Sequence, residues 1–187
     1  MKPTTISKGQ LLISEPFLSD KDFKRSVVLL CEHSKANGSF GLVINRQLDL
    51  KLYNFIPDLQ GFESCLYYGG PVEQETLHYL HTYGELLEGS IKVTDGIYRG
   101  GDFDQLKTYI NTHIISPQNI RFYIGYSGWE SDQLDNELQE KSWIQTPAAP
   151  KYIFSKDPQK LWRTALRDIG TDDYRIMSHL PEYPSLN

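Results

Sequence analysis

A chain of 187 residues is long enough for one domain with a real core and too short for two ordinary ones. Hydrophobic residues at 39% and charged residues at 23% exclude a disordered chain, and a formal net charge of −5 argues against direct DNA binding through clustered positive charge. No run approaches the roughly 18 apolar residues of a membrane span, and no apolar signal core follows the first lysine, so the expectation is a cytoplasmic protein without membrane contact.

Residues 1–8 are polar and read as a loose N-terminus. Gln10–Ser14 reads as a short strand broken at Glu15-Pro16, followed by a polar loop in which Phe23 is a core plug. Lys21, Lys24 and Arg25 read as a solvated basic group. Ser26–Cys31 and Phe40–Asn45 read as strands joined around Asn37-Gly38, a strong hairpin signal. Val27–Leu30 is continuously apolar, which predicts a central strand covered on both faces. Pairing His33 with Phe40 sets Val28 opposite Asn45, with His33 and Asn45 about 16 Å apart along the ribbon. They do not then share one small site. Leu48–Ile56 fits either alternation or a short helix ending at Pro57, and the helix is the reading taken here.

Ser64–Tyr68 reads as a strand ending in the rigid turn Gly69-Gly70-Pro71, a corner between strands or a place for a ligand to approach backbone. Leu77–Tyr83 reads as a strand, and the odd separation of His78 and His81 then puts their rings on opposite faces, which argues against a shared metal. Ile91–Tyr98 reads as one strand. Asp102 caps a predicted helix reaching His113, with Phe103, Leu106, Tyr109 and Ile110 inward.

Arg121–Trp143 reads as strand, tight glycine turn at 125–128, and helix, with Ser131 or Asp132 as cap and Glu137 spaced to pair with Lys141. Gly125-Tyr126-Ser127-Gly128-Trp129 falls one residue short of a Gly-x-Ser-x-Gly nucleophile elbow, and the one later histidine, His179, lies in the tail. The better reading is a turn that lets Trp129 pack under the sheet. Trp143-Ile144 and Tyr152–Phe154 read as extended pieces around a Pro-Ala-Ala-Pro link. Asp157 and Pro158 open a last helix whose buried face is Leu161, Trp162, Ala165, Leu166 and Ile169, and Gly170 stops it. Arg163 and Arg167 read as its outer surface, and residues 171–187 as a loose tail. Cys31 and Cys65 read as free thiols in a reducing compartment.

Gly9-Gln10-Leu11-Leu12-Ile13-Ser14-Glu15-Pro16, Asp22-Phe23 to Arg25-Ser26-Val27, Cys31-Glu32-His33 and Gly41-Leu42-Val43-Ile44-Asn45-Arg46 come in an order that resembles the AlgH/YqgE family. Gly69-Gly70-Pro71-Val72, Leu80-His81, Gly125 to Trp129, Gln133-Leu134 and Glu137-Leu138 through Trp143 continue the resemblance to about residue 170. Ser39-Phe40 and Asp132 depart from the pattern. The resemblance implies one α+β domain, a mixed bent or barrel-like sheet packed with three to four helices. It nominates His33, Asn45, Gly69, Gly70, Pro71, Gly125, Trp129 and Gln133 as binding positions without assigning their roles. Some family members carry the label of transcriptional regulator, although this chain has no clear helix-turn-helix. The residues themselves assemble no acid–base, nucleophile or metal set and call for no cofactor. The leading expectation is a non-catalytic binding or regulatory domain for a small molecule or protein. The rivals are an enzyme using His33 or His81 with a carboxylate such as Glu32, and a transcriptional regulator without a helix-turn-helix.

Overall fold

The computed structural model describes residues 5–59 and 61–181. Its elements in chain order are β1 (Gln10–Ser14), β2 (Val27–Ser34), β3 (Gly38–Val43), β4 (Gln47–Lys51), β5 (Cys65–Tyr68), β6 (Val72–His81), β7 (Ile91–Thr94), β8 (Ile97–Arg99), α1 (Phe103–Asn111), β9 (Ile120–Trp129), α2 (Gln133–Gln139), β10 (Trp143–Pro147), α3 (Pro150–Ile153), α4 (Leu161–Ile169) and α5 (Asp172–Ser178). The strands make one ten-stranded sheet, ordered β10-β1-β2-β3-β9-β6-β8-β7, with β5 against β9 and β4 outside β5. Pairing is antiparallel except between β5 and β9. This is the expected α+β class; the sheet bends but does not close into a barrel.

The bend lies at Gly125. On one edge, β9 pairs first with β5, Leu66 opposite Phe122 to Tyr68 opposite Ile124. Past Gly125 the same edge pairs with β3, from Gly41 opposite Ser127 to Ser39 opposite Trp129. Gly125 has φ +67°, a conformation that costs side-chain-bearing residues energy, so glycine supplies the kink. The expected glycine turn at 125–128 is therefore corrected. Both flanks of Gly125 find ladder partners, so the chain bends without reversing, and it leaves the sheet only after Trp129. Gly69 closes the gap between β5 and β3: its N–H donates to Ile124 O (2.8 Å) and its carbonyl accepts from Val43 N (2.8 Å). A Cβ on Gly69 would lie 2.2 Å from Gly125 O, and one on Gly70 would lie 2.2 Å from Tyr126 C.

Burial on both faces of β2 follows the predicted apolar run. Val27, Leu29 and Cys31 join Leu11, Ile13, Leu42, Tyr123 and the α4 residues Trp162 and Leu166. Val28 and Leu30 join Leu12, Val43, Trp129, Leu134 and Trp143. A third cluster sets Leu66 and Phe122 against Leu106 and Ile110 of α1. An irregularity between Leu30 and Glu32 shifts the hairpin, so His33 faces Ser39 and Val28 faces Val43, where Phe40 and Asn45 were expected.

Other expectations change too. Residues 47–51 are strand and only Leu52–Asn54 coil into a 3-10 turn, because Gln47 and Lys51 pair with β5. The segment 91–98 is a hairpin turning at Asp95-Gly96, a turn signal that the apolar run masked. Residues 150–153 form a helical turn started by Pro150. Asp102 caps α1 as expected, accepting from Gln105 N at 2.7 Å, whereas Asp157 makes no cap bond. Within the expected loose tail, 172–178 is helical, and Arg163 donates to Ser178 O (2.8 Å) and Leu180 O (3.2 Å). The outermost parts of the expected loose termini, 1–4 and 182–187, lie outside the described residues.

Gly69→Ala is expected to destabilise the protein by more than about 3 kcal/mol, because backbone on both sides must move. Urea unfolding measures it; a loss below about 1 kcal/mol would mean that the seat on Gly125 is loose.

Candidate functional site

The motif residues of α2 and its surroundings meet at one carboxylate. Gln133 and Glu137 are four apart and share a helix face. Glu137 Oε2 accepts from Trp129 Nε1 (2.8 Å) and from Trp143 Nε1 (2.7 Å), and Oε1 accepts from Gln133 Nε2 (2.9 Å). Gln133 Oε1 in turn accepts from Glu130 N (3.0 Å), tying the helix to the turn before it, and no side chain caps α2 where Ser131 or Asp132 was expected to. Asp132 instead takes φ +60° and makes no side-chain cap. The expected Glu137–Lys141 pair is replaced by the indole bonds; Lys141, at φ +61°, already lies past the helix. Phe23 stacks on Trp129 at 6.1 Å and meets Trp143 edge-on at 5.5 Å, so it is the core plug expected. A pocket of about 230 Å³ opens here, walled by Leu18, Phe23, Trp129, Gln133, Glu137 and Trp143.

Trp143 also lines a groove of about 800 Å³ with Ile6, Lys35, Leu138 and His33. His33 in turn lines a groove of about 370 Å³ with Lys8, Asn37, Ser39 and Phe40. The three depressions thus lie side by side across α2, β10 and the β2–β3 hairpin, with Trp143 between the first two and His33 between the last two. His33 Nδ1 and Ser39 Oγ share a hydrogen bond of 2.8 Å. Glu32 does not pair with His33; consecutive strand residues face opposite ways, and its carboxylate binds the Arg99 guanidinium instead.

The nominated residues divide. Trp129 and Gln133 belong to the pocket, and His33 to the grooves beside it. Asn45 is elsewhere: its Oδ1 accepts from Val27 N (2.8 Å) and its Nδ2 donates to Arg25 O (2.9 Å), extending the β2–β3 ladder past the strand end. Gly69, Gly70 and Gly125 touch one another, so the Gly-Gly-Pro corner and the Gly125–Trp129 segment do meet. They meet backbone to backbone, which leaves no room for a ligand, and Pro71 is exposed beside them. Ser127 is buried and donates to Gly69 O at 3.1 Å, so it has no nucleophile's geometry. Glu137, Trp143, Phe23 and Ser39 are not among the nominated residues. The first three stand within the quoted motifs and Ser39 at a departure from them, but nothing in the sequence shows that one carboxylate serves two indoles.

His78 and His81 lie on β6 as expected for a strand, with His81 fully buried. His81 Nε2 donates to Gly100 O (2.8 Å) and Nδ1 accepts from Tyr83 N (3.1 Å), which fixes the neutral ring and occupies both nitrogens. Burial pushes both imidazoles below their usual range. Burial pushes the Cys31 thiol up to about 12; Cys31 and Cys65 are both free. Among the described residues, no three His, Cys, Asp or Glu side chains are grouped to hold a metal ion. No described helix is long and apolar enough to cross a membrane.

Two outcomes follow. Glu137→Ala strands two indole N–H groups and is expected to cost about 2–4 kcal/mol, with Glu137→Gln recovering part of it, read by urea unfolding. Equal losses for both variants would show that the carboxylate's bonding to the indoles is not what matters. The depressed His78 and His81 values give stability that is complete above the unfolded value of about 6.5 and is lost as pH falls through the folded values. Each contributes at most about 1.4 kcal/mol per pH unit, so His81→Gln is expected to flatten the slope below about pH 6.5. An unchanged slope would remove His81 from the account.

Residues 11–174 match the model of the AlgH-like family. A UPF0301 protein of Chlorobium limicola is 40% identical over 179 residues, covering 96% of this chain and 95% of that protein. A UPF0301 protein of Cytophaga hutchinsonii is 42% identical over 183 residues, covering 97% and 100%. The crystal structure of a Corynebacterium diphtheriae protein superposes with a TM-score of 0.80 at 21% identity, covering 96% of this chain and 95% of that one, a likeness of fold. The solution structure of the AlgH protein from Pseudomonas aeruginosa superposes with a TM-score of 0.72 at 25% identity, covering 98% and 100%. With the sequence motifs, the family model and these relatives in agreement, the chain belongs to the AlgH-like family.

Proposed function

We propose that the protein is a cytoplasmic binding or regulatory domain without chemistry of its own, and that its ligand lies in the cleft running from the Trp129–Glu137–Trp143 pocket to His33. The observation that supports this reading is adjacency: Trp143 walls both the pocket and the larger groove, and His33 walls both grooves. One end offers indole and phenyl faces around a carboxylate already bonded to three donors. The other offers His33, Ser39 and Asn37, with Lys8 and Lys35 at the margins. Aromatic faces at one end and polar groups at the other suit an amphipathic small molecule or a short segment of another protein. The net charge of −5 weighs against a nucleic-acid ligand.

A second reading, an enzyme acting through His33, draws on its bond to the Ser39 hydroxyl beside an open groove. It requires a carboxylate or other group to orient the ring, and Glu32 is engaged by Arg99.

A small-molecule screen by thermal shift tests the binding reading, since a ligand that prefers the native state raises the melting temperature. Ligands are expected whose shift falls by at least half in His33→Ala. Ligands that stabilise the wild type and His33→Ala alike would place binding outside the cleft. Turnover of a screened compound, abolished in Ser39→Ala, would favour the enzyme.

A further inference from the structure

Another cluster lies on the opposite side of β2 and β3 from the indoles, on the face that carries Tyr123 and Cys31. Arg99 on β8 stands opposite Leu80 on β6, and Leu80 stands opposite Arg121 on β9. Directly opposed residues share a face, so both arginines rise from the face of Leu80, about 10 Å apart at two strand spacings. Tyr123, two residues after Arg121, shares that face and is fully buried. Three donors here are buried without a partner: Arg99 Nε, Arg121 Nη1 and the Tyr123 hydroxyl.

Such groups are rare because each loses its hydrogen bonds to water and regains none. Arginine also keeps its charge under all ordinary conditions. The Arg99 charge is balanced by Glu32. The other Arg121 amino group, Nη2, donates to Ser155 O, and its guanidinium stacks over Tyr67 at 4.6 Å, but neither partner carries negative charge. Nearby Cys31 is held as the neutral thiol by burial, so it does not supply the missing charge. The Arg99 side chain is 22% exposed, so its margin meets solvent while the three unpartnered atoms lie beneath it.

We propose that Arg121, Arg99 and Tyr123 form a binding site for an oxyanion, the phosphate or carboxylate group of a small ligand. Arg121 supplies the uncompensated charge, Arg99 a second guanidinium N–H, and Tyr123 a neutral donor from the floor. The site lies across β2 and β3 from the indole pocket, bordering the His33 groove only at Glu32 and Phe40, and does not rest on the cleft.

Thermal melts in sodium phosphate and in sodium acetate, against sodium chloride at matched ionic strength, test the assignment. One or both oxyanions are expected to raise the wild-type melting temperature beyond chloride; the one that acts names the group. Arg121→Gln is expected to weaken the apparent affinity at least tenfold. Tyr123→Phe is expected to melt at or above the wild type in chloride, since it removes an unpartnered hydroxyl, yet to gain less from the oxyanion. This second variant decides the matter if Arg121→Gln fails to fold. No oxyanion shift beyond chloride, or a Tyr123→Phe protein destabilised in chloride alone, would overturn the proposal and assign the hydroxyl to internal solvent.

Discussion

The seat of Gly69 and Gly70 on the bend of β9 is the contact on which the remaining architecture depends. A strand edge ordinarily serves one neighbour. Here the same edge serves β5 before Gly125 and β3 after it, and Gly69 joins the two through bonds to Ile124 and Val43. With a side chain at 69 or 70 the two backbones could not approach, and the β2–β3 hairpin would lose its register on β9. That register puts Trp129 beside Ser39, and so fixes where the indole pocket and the His33 groove stand relative to each other.

Competition for Glu137 shows how tertiary context overrides local spacing. An exposed pair with Lys141 would contribute roughly 0.3 kcal/mol. A hydrogen bond to a charged group that is shielded from water contributes about 1.5–3 kcal/mol, and Glu137 accepts two from largely buried indoles. The stronger interaction takes the carboxylate. In doing so it fastens α2 to the end of β9 and the start of β10, elements that the sequence separates by a turn on either side.

Much of the fold was legible because its signals were local. Apolar continuity in Val27–Leu30 marked a strand buried on both faces, Asn37-Gly38 marked the hairpin, and Asp102 and Gly170 marked helix ends. The failures came where partners distant in sequence decide. A glycine at positive φ bends or reverses a chain according to whether the next residues find a ladder, and 126–129 find β3. Residues 172–178 are polar enough to read as a tail, yet Met177 and Tyr174 pack on the core beside α4. At the candidate site, Trp129, Gln133 and His33 were visible as motif residues, but their grouping was not. Periodicity cannot say which carboxylate an indole will find, and Phe23 arrives there from a loop more than a hundred residues earlier than Trp129.

The two faces of β2 treat polarity in different ways, and the difference follows from which groups can shed charge. On the Tyr123 face and along β6, burial drives Cys31, Tyr123, His78 and His81 toward their neutral forms, the inexpensive answer to a low dielectric. Guanidinium has no such escape, so Arg99 and Arg121 must be met by an acceptor; Glu32 meets one, and a backbone carbonyl and a ring face meet the other only in part. On the indole face the fixed charge is a carboxylate, and the chain provides all three of its donors. A satisfied anion leaves its aromatic walls to select by shape. An unsatisfied cation selects by charge, and it is there that the fold leaves a partner to come from outside.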